Sequence, residues 1–179
     1  MPNQSQAGLS WLAFSLLTVF SWGVYGVLLH MGQMGMADTA NGRYKAFLFV
    51  GIAYFLTAVL APLAVLIMNG ATWDMPATGM KLSLIAGIAG AVGAFGVLLA
   101  FGAGGLPPVV MSIVFAGAPV VNAFVAFYAS PPAGGFSAIK PQFWLGIVLA
   151  ATGGLLVTLY KPPPGKPHTP HAKVTPAEK

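Results

Sequence analysis

The stretch LSLIAGIAGAVGAFGVLLAF, residues 82–101, decides the fold class. It contains no Asp, Glu, Lys or Arg. As a helix rising about 1.5 Å per residue, it is long enough to cross the roughly 30 Å hydrocarbon core of a bilayer. A buried helix of a soluble protein typically holds only about 10 to 14 continuous apolar residues. We therefore interpret this segment as a transmembrane helix.

Four other segments have the same character, and each is bounded by charged or turn-forming residues. They cover residues 9–30, 46–68, 109–128 and 143–160. Over the whole chain 57% of residues are apolar and only 6% are charged, which is too few charges to cover the surface of a soluble fold. The sequence therefore predicts an all-α membrane protein. We expect a bundle of about five transmembrane helices over residues 9–160, preceded by a short N-terminal segment, residues 1–8.

The last segment of the chain, residues 161–179, is rich in proline and lysine and has no apolar periodicity. Such a composition buries too little surface to offset the entropy of ordering, so we expect a disordered tail. His168 and His171 lie in it, but two histidines without a third ligand are far more often solvated residues than a metal site. With no cysteine in the chain either, we expect no metal and no cofactor.

The distribution of basic residues predicts an orientation. With five spans, Arg43 and Lys45 face the same side of the membrane as the tail lysines, whereas Lys81 and Lys140 face the other side. Cytoplasmic loops carry the excess of Lys and Arg. We therefore expect an inner-membrane or plasma-membrane protein whose C-terminus is cytoplasmic and whose N-terminus is outside.

The interiors of the five segments lack charged residues, and this excludes several functions. A charge at the bilayer centre costs at least about 2.5–3.5 kcal/mol and usually marks a proton relay or an ion path. Its absence argues against a pump that carries protons on a buried carboxylate. We find no nucleophile paired with a base, so we do not expect an enzyme. The basic residues are also too dispersed to follow a phosphate backbone, so no nucleic-acid partner is expected.

Neutral polar residues in the first segment are candidates for a substrate-binding cavity. Ser15, Thr18 and Ser21 recur at spacings of three, which places them on roughly one side of a helix, close to Trp22 and Tyr25. A stripe facing the interior of the bundle would suit a polar solute. The alternative is that these hydroxyls bond to carbonyl groups of their own helix and bind no ligand.

The fourth segment adds Ser112 and Asn122 to the candidate substrate-binding residues, on either side of Pro119. A proline inside a helix removes a backbone donor and crowds the preceding turn, so Pro119 predicts a kink with freed carbonyl groups. Pro62 predicts a similar kink in the second segment, where simple packing is the alternative.

Two basic residues, Arg43 and Lys45, open the second segment and predict a cytoplasmic mouth that attracts anions; the alternative is that they only set the topology. In the third segment Ala86, Gly90 and Ala94 form a row of small residues along one helix face. Such a row allows close approach of another helix and needs no further function.

An ordered set of short motifs resembles one EamA-type repeat of the drug/metabolite transporter superfamily and covers residues 9–160. The motifs are Ser21-Trp22-Gly23, Arg43, the glycine-rich third segment with Leu106-Pro107-Pro108, Ala118-Pro119-Val120, Gln142-Phe143-Trp144-Leu145-Gly146 and Thr152-Gly153-Gly154. The Gly-Glu pair usual after the fourth helix of that family is replaced here by Ser130-Pro-Pro-Ala-Gly-Gly135.

The resemblance implies membrane transport of a small metabolite. Because that family uses two five-helix repeats and this chain holds one, it also implies a homo- or hetero-oligomer in the lipid bilayer, with a second copy or a partner. A cavity without fixed charge suits a neutral, zwitterionic or amphipathic small-molecule solute. The alternative is a non-transporting structural or assembly subunit of a larger membrane complex, favoured by the small size and the extended tail.

Overall fold

The computed structural model describes residues 4–161 and residue 163, and 81% of the described residues are helical. No strand occurs among the described residues. The helices are α1 (Gln4–Gly35), α2 (Gly42–Phe55), α3 (Ala61–Met68), α4 (Ala77–Gly102), α5 (Pro107–Ala129) and α6 (Pro141–Leu159). A π-helical turn, Leu56–Leu60, joins α2 to α3, and a 3₁₀ turn, Phe136–Ala138, precedes α6.

Five helices are long and apolar enough to cross a membrane, which confirms the predicted all-α membrane protein. They are Leu9–Gly35, Gly42–Met68, Ala77–Gly102, Pro107–Ala129 and Pro141–Leu159, where α2, the π turn and α3 form the second. Most extend a few residues beyond the predicted segments. The structure begins α1 at Gln4, inside the predicted N-terminal segment, while the predicted disordered tail and its histidines lie outside the described residues, apart from Lys161 and Pro163.

Prolines and glycines set many of the helix ends. Prolines stand at the starts of α4, α5 and α6, where a residue without an N–H loses no helical hydrogen bond. Gly70 and Gly104 follow the ends of α3 and α4 with φ of 59° and 92°. In both cases the next residue donates its N–H to a carbonyl of the last turn, the Schellman arrangement that ends a helix.

The π turn of the second span ends at Leu60, two residues before Pro62. Across it the Ala61 N–H donates to the Leu56 carbonyl, five residues back, and Pro62 supplies no N–H at all. Replacing the four-residue spacing by a five-residue spacing accommodates the proline ring against the preceding turn. Pro119, the other proline inside a span, does not interrupt its helix: α5 continues from Pro107 to Ala129, and Pro119 is exposed.

The hydrophobic core lies at one end of the bundle, which we call the packed end: loops 36–41 and 103–106 with the adjoining turns of α1, α2, α4 and α5. Its buried apolar residues are Leu29, Ala46, Val97, Leu98, Phe101, Val110 and Met111. Gly26 allows α1 to approach α5 there, since a Cβ on Gly26 would lie 2.6 Å from Met111 Cγ. The four helices therefore converge at the packed end.

Away from the packed end the same helices lose contact with one another. Residues 9–21, 51–70 and 72–93 are all exposed, and α3 contacts none of the other helices described. On α4, Gly90 lies one turn from the fully buried Ala94, on the same face, yet nothing lies within 4 Å of the position of its Cβ. The face that is buried at the packed end thus continues into open space.

Helix α6 packs against α5 and against no other described helix. Gly154 is buried in this pair, and a Cβ there would lie 2.5 Å from the Ala116 Cβ. Near the loop between the two helices, the Phe127 ring contacts Phe143 and Trp144 at centroid distances of 5.5 and 6.1 Å. Close packing along the helices and aromatic packing near their connecting loop make α5 and α6 a hairpin on the side of the bundle.

Candidate ligand-binding sites

Trp22 and Tyr25, both predicted to bind substrate, are half-buried and pack together on α1. Their ring centroids are 5.5 Å apart, and the Trp22 ring also meets Phe115 of α5 edge-on at 6.4 Å. The two rings border the hydrophobic core. Trp22 therefore links α1 to α5 just beyond the packed end.

Tyr25 lines a groove of about 320 Å³ between α1 and α2. The other lining residues are apolar or small: Leu28, Leu29, Gly32, Met36, Ala46, Phe49, Val50 and Ala53. The Tyr25 hydroxyl is buried, lies near the Tyr54 phenol and has no well-formed hydrogen bond within the described part of the chain. A buried polar atom without a well-formed hydrogen bond is costly, so this hydroxyl has unused hydrogen-bonding capacity beside the groove.

The serines of the first helix occupy exposed positions. Ser15 Oγ donates to the Trp11 carbonyl at 2.8 Å and Thr18 Oγ1 donates to the Phe14 carbonyl at 3.0 Å. Ser21 is exposed as well. The hydroxyls of Ser15 and Thr18 are thus bonded within their own helix, as the alternative interpretation of the stripe expected.

Ser112 and Asn122 lie on different parts of α5. Ser112 Oγ donates to the Pro108 carbonyl at 2.6 Å, and Ser112 lines a groove of about 330 Å³ between α5 and α6. Asn122 is exposed, farther along the helix. Tyr25 and Ser112 therefore line separate cavities, and the structure does not bring the six predicted substrate-binding residues into one site.

A larger groove, of about 520 Å³, lies on the other side of the α5–α6 pair. Its lining is almost entirely apolar: Ile113, Ala116, Gly117, Val120, Val121, Ala151, Gly154, Leu155 and Thr158. It offers little to a polar ligand, and in a membrane an open apolar groove suits a lipid chain or another helix. We do not count it as a metabolite site.

The most polar of these cavities is at the packed end, and we call it the polar pocket. It has a volume of about 210 Å³ and is lined by His30, Gln33, Met34, Asp38, Thr39, Arg43, Phe101 and Gly102. These residues come from the end of α1, the following loop, the start of α2 and the end of α4. Both Arg43 and Asp38 contribute to it, whereas Lys45 does not.

Asp38 organises the loop beside the polar pocket. One carboxylate oxygen accepts hydrogen bonds from the backbone N–H groups of Ala40 and Asn41, at 3.1 and 2.8 Å. The other accepts from Lys45 Nζ at 2.6 Å, as an ion pair. The Lys45 hydrogen bond and then the backbone hydrogen bonds hold the pKa of Asp38 below its usual value. The Lys45 ammonium group is therefore already paired with the Asp38 carboxylate.

The sequence predicts that Arg43 and Lys45 together form a cytoplasmic mouth, but the contacts of Arg43 differ from those of Lys45. Its side chain is half-buried and lies against the end of α4: a Cβ on Gly102 would come within 2.5 Å of Arg43 Nη1 and 3.0 Å of Cζ. The guanidinium carbon also lies 5.5 Å from the centre of the Tyr44 ring. No salt bridge involves Arg43 among the residues that the structure describes.

Two polar residues of α1 complete the pocket. The His30 ring meets Phe101 edge-on at 5.5 Å, and its Nδ1 is buried without a hydrogen-bond partner in the described chain. Gln33, only 9% exposed, donates from Nε2 to the Leu98 carbonyl at a long 3.4 Å. Sequence reasoning missed Gln33 because the first segment was ended at His30; the three-residue spacing of His30 and Gln33 was the available signal.

Metal binding has no support in the described residues. Within them, no group of three or more His, Cys, Asp or Glu side chains is close enough to hold a metal ion. Beside the Asp38 carboxylate, which is bonded to Lys45, the polar pocket instead provides donors for an oxygen ligand: a guanidinium, an imidazole and an amide.

In comparisons with known proteins, no family model, no curated protein and no solved structure matches this chain.

Proposed function

We propose that this protein is a half-sized, EamA-like membrane transporter for a small metabolite, and that it works together with a second copy or a partner. The observation that carries the proposal is the one-sided packing of the helices. Four spans meet at the packed end and leave residues 9–21, 51–70 and 72–93 uncovered. The apolar groove lined by Tyr25, which we call the tyrosine groove, lies between α1 and α2. A half-transporter needs such an incomplete interior, which a second half completes.

In the proposed orientation the C-terminus is cytoplasmic and the N-terminus is outside, in the inner or plasma membrane. The packed end, with Arg43 and Lys45, then faces the cytoplasm, and the uncovered helix ends face outward. Fusions at the C-terminus test this: a fluorescent protein is expected to fluoresce there, whereas alkaline phosphatase, which needs an oxidising compartment, is expected to be inactive. Active phosphatase would reverse the orientation.

Several features support a solute without net charge for the tyrosine groove. The groove is lined by apolar side chains, and Tyr25 is the lining residue whose side chain carries a hydroxyl. Hydrogen bonding to one hydroxyl inside an apolar wall suits a neutral or zwitterionic metabolite. The π turn before Pro62 provides a weak point in the second span, and such turns are frequent at functional sites.

The test is flux into sealed proteoliposomes, measured with a panel of labelled amino acids and other neutral metabolites. Wild-type protein is expected to transport at least one of them, and Tyr25→Phe is expected to reduce that flux severalfold. Tyr44→Phe is the matched control, because it removes the same hydroxyl outside the groove. Absence of flux for every solute, or an equal effect of the two substitutions, would argue against the proposal.

A non-transporting subunit of a larger complex is the second candidate. It is favoured because the predicted substrate-binding residues do not form one cavity: Ser15 and Ser112 are bonded within their own helices, and Asn122 is exposed. This candidate predicts that the protein purifies from its native membrane with a stoichiometric partner of different sequence, and that the partner is lost when residues 161–179 are deleted. The transporter proposal does not require the tail for assembly.

A further inference from the structure

Arg43 in the polar pocket has no ion-pair partner among the described residues. The chain has three acidic residues, Asp38, Asp74 and Glu178. Asp38 is bonded to Lys45, and Asp74 lies beyond the second span, at the opposite end of the bundle. Glu178 lies outside the described residues. Within the described structure, therefore, no carboxylate forms an ion pair with the Arg43 guanidinium, and Asp38, which lines the same pocket, is bonded to Lys45 instead.

The position of Arg43 differs from that of a basic residue that only marks topology. Long basic side chains at the ends of membrane helices usually extend toward water. Arg43 instead folds back over the last turn of α4, with its guanidinium against Gly102 and beside the Tyr44 ring. Glycine at 102 makes this possible, because a methyl group there would occupy the space of Nη1.

Two further groups in the pocket have unused hydrogen-bonding capacity. His30 Nδ1 is buried and unpaired, and the hydrogen bond from Gln33 to Leu98 is long, at 3.4 Å. Native proteins rarely leave buried polar atoms without a partner, because desolvation then has no compensation. A ligand that accepts hydrogen bonds from these side chains removes that cost.

We propose that the polar pocket is a binding site for a small oxyanion group, a carboxylate or phosphate, held by Arg43 with His30 and Gln33 as additional donors. A planar guanidinium pairs with such groups through two parallel hydrogen bonds. The 210 Å³ of the pocket suits an anionic group rather than a whole drug-sized ligand, whose sites are typically about 300–1,000 Å³. The site goes beyond the proposed transport function and does not depend on it.

The oxyanion has two possible sources, a soluble anion or the phosphate of an anionic lipid at the membrane surface. We distinguish them with purified full-length protein in nanodiscs. Inorganic phosphate and acetate are titrated in phosphatidylcholine discs, at ionic strength held constant with chloride. In a second arm, phosphatidylglycerol replaces part of the phosphatidylcholine without added phosphate. The thermal midpoint of unfolding reports binding, since a ligand that binds only the folded state raises it.

Matched variants separate the pocket from general charge effects. Arg43→Gln removes the guanidinium, and Gly102→Ala displaces it by adding one methyl group. Lys81→Gln removes one positive charge near the start of α4, far from the pocket, and Gly96→Ala adds a methyl group on α4 where nothing lies within 4 Å. Gly102→Ala keeps the test decisive should Arg43→Gln fail to fold.

We expect the thermal midpoint of wild-type protein to rise saturably in one of the two arms. A rise with phosphate or acetate in phosphatidylcholine discs assigns a soluble ligand. A rise with phosphatidylglycerol alone assigns a lipid headgroup. Arg43→Gln and Gly102→Ala are expected to weaken the response at least about tenfold, while Lys81→Gln and Gly96→Ala keep it. The proposal is overturned when no probe stabilises the wild type, or when Lys81→Gln loses the response as fully as Arg43→Gln.

Discussion

Gly154 of α6 lies so close to Ala116 of α5 that a Cβ on the glycine would be 2.5 Å from the alanine Cβ and 3.2 Å from the Ser112 carbonyl oxygen. Neither atom belongs to the flexible end of a long side chain. The two helices can keep this distance only with glycine at position 154, because the alternative is to move one backbone away from the other. Since α6 contacts no other described helix, its attachment to the bundle depends on this packing.

Gly154→Ala is therefore expected to reduce the free energy of unfolding in detergent micelles by about 1–3 kcal/mol, the usual cost of overpacking. Gly153→Ala is the control, because the neighbouring glycine has nothing within 4 Å. There alanine is expected to be neutral or stabilising by up to about 1 kcal/mol, as the better helix former. Equal effects of the two substitutions would show that helix propensity, and not the α5–α6 contact, determines the result.

The Asp38–Lys45 ion pair predicts a dependence of stability on pH. Because the pKa of Asp38 is lowered in the folded protein, its ionised form stabilises the fold at pH values above the usual pKa near 3.8. This stabilisation is lost as the pH falls through that value toward the lowered pKa. Between about pH 6 and about pH 3 the thermal midpoint of wild-type protein is expected to fall more than that of Asp38→Asn.

The asparagine variant separates the ion pair from the backbone cap, since its amide oxygen still accepts from the N–H groups of Ala40 and Asn41. At neutral pH we expect Asp38→Ala to have a lower thermal midpoint than Asp38→Asn. Lys45→Gln is expected to show a smaller pH dependence than wild type but a larger one than Asp38→Asn, because the backbone hydrogen bonds to the carboxylate remain. Asp74→Asn serves as the control for loss of a distant carboxylate. A pH dependence as large in Lys45→Gln as in the wild type would contradict the assignment.

Backbone strain lies next to the same loop, at Ala37. Its φ is 51°, and among the described residues it is the only residue other than glycine with a positive φ. Left-handed backbone costs an L-residue roughly 1–2 kcal/mol, whereas glycine adopts it freely but loses more entropy on folding. Ala37→Gly is therefore expected to stabilise the protein by about 0.5–1 kcal/mol in thermal or denaturant unfolding.

Ala40→Gly in the same loop is the matched control, because Ala40 does not have positive φ. There the substitution only increases the freedom of the unfolded chain and is expected to destabilise by about 0.4–1 kcal/mol. If both variants are destabilised alike, the conformation of Ala37 contributes no strain that glycine relieves.

The number and type of the helices follow from the sequence because hydropathy is a local property. An uninterrupted apolar run such as residues 82–101 has to satisfy its backbone within one helix once it is in lipid. The helix ends are almost as local: Pro76 starts α4 and Gly104 ends it for reasons of backbone conformation alone. These features need no knowledge of the neighbouring helices.

The sites are less predictable, because in a membrane both the lipid-facing and the interior-facing sides of a helix are apolar. Nothing in the sequence pattern of α1 shows that Ser15 is exposed while Gln33 is buried. The pairing of Lys45 with Asp38, which leaves Arg43 unpaired, depends on the geometry of the loop between α1 and α2. Such contacts are decided by tertiary structure and not by composition.

The uncovered face of α4 leads to a last prediction, which tests the second half required by the proposed function. Gly90 continues the face of the buried Ala94 and Leu98, and the space above it is empty, so a leucine at 90 is compatible with the fold of one copy. If a helix of a partner packs there, Gly90→Leu is expected to weaken the oligomer at least about tenfold, since small residues permit the close approach. Native mass spectrometry from detergent measures this.

Gly96→Leu, on the opposite face of α4 and equally free of contacts, is expected to leave the assembly intact. An oligomer that tolerates leucine at both positions would exclude this face of α4 as the interface, and one that is weakened equally by both substitutions would show only that bulk on α4 is disfavoured.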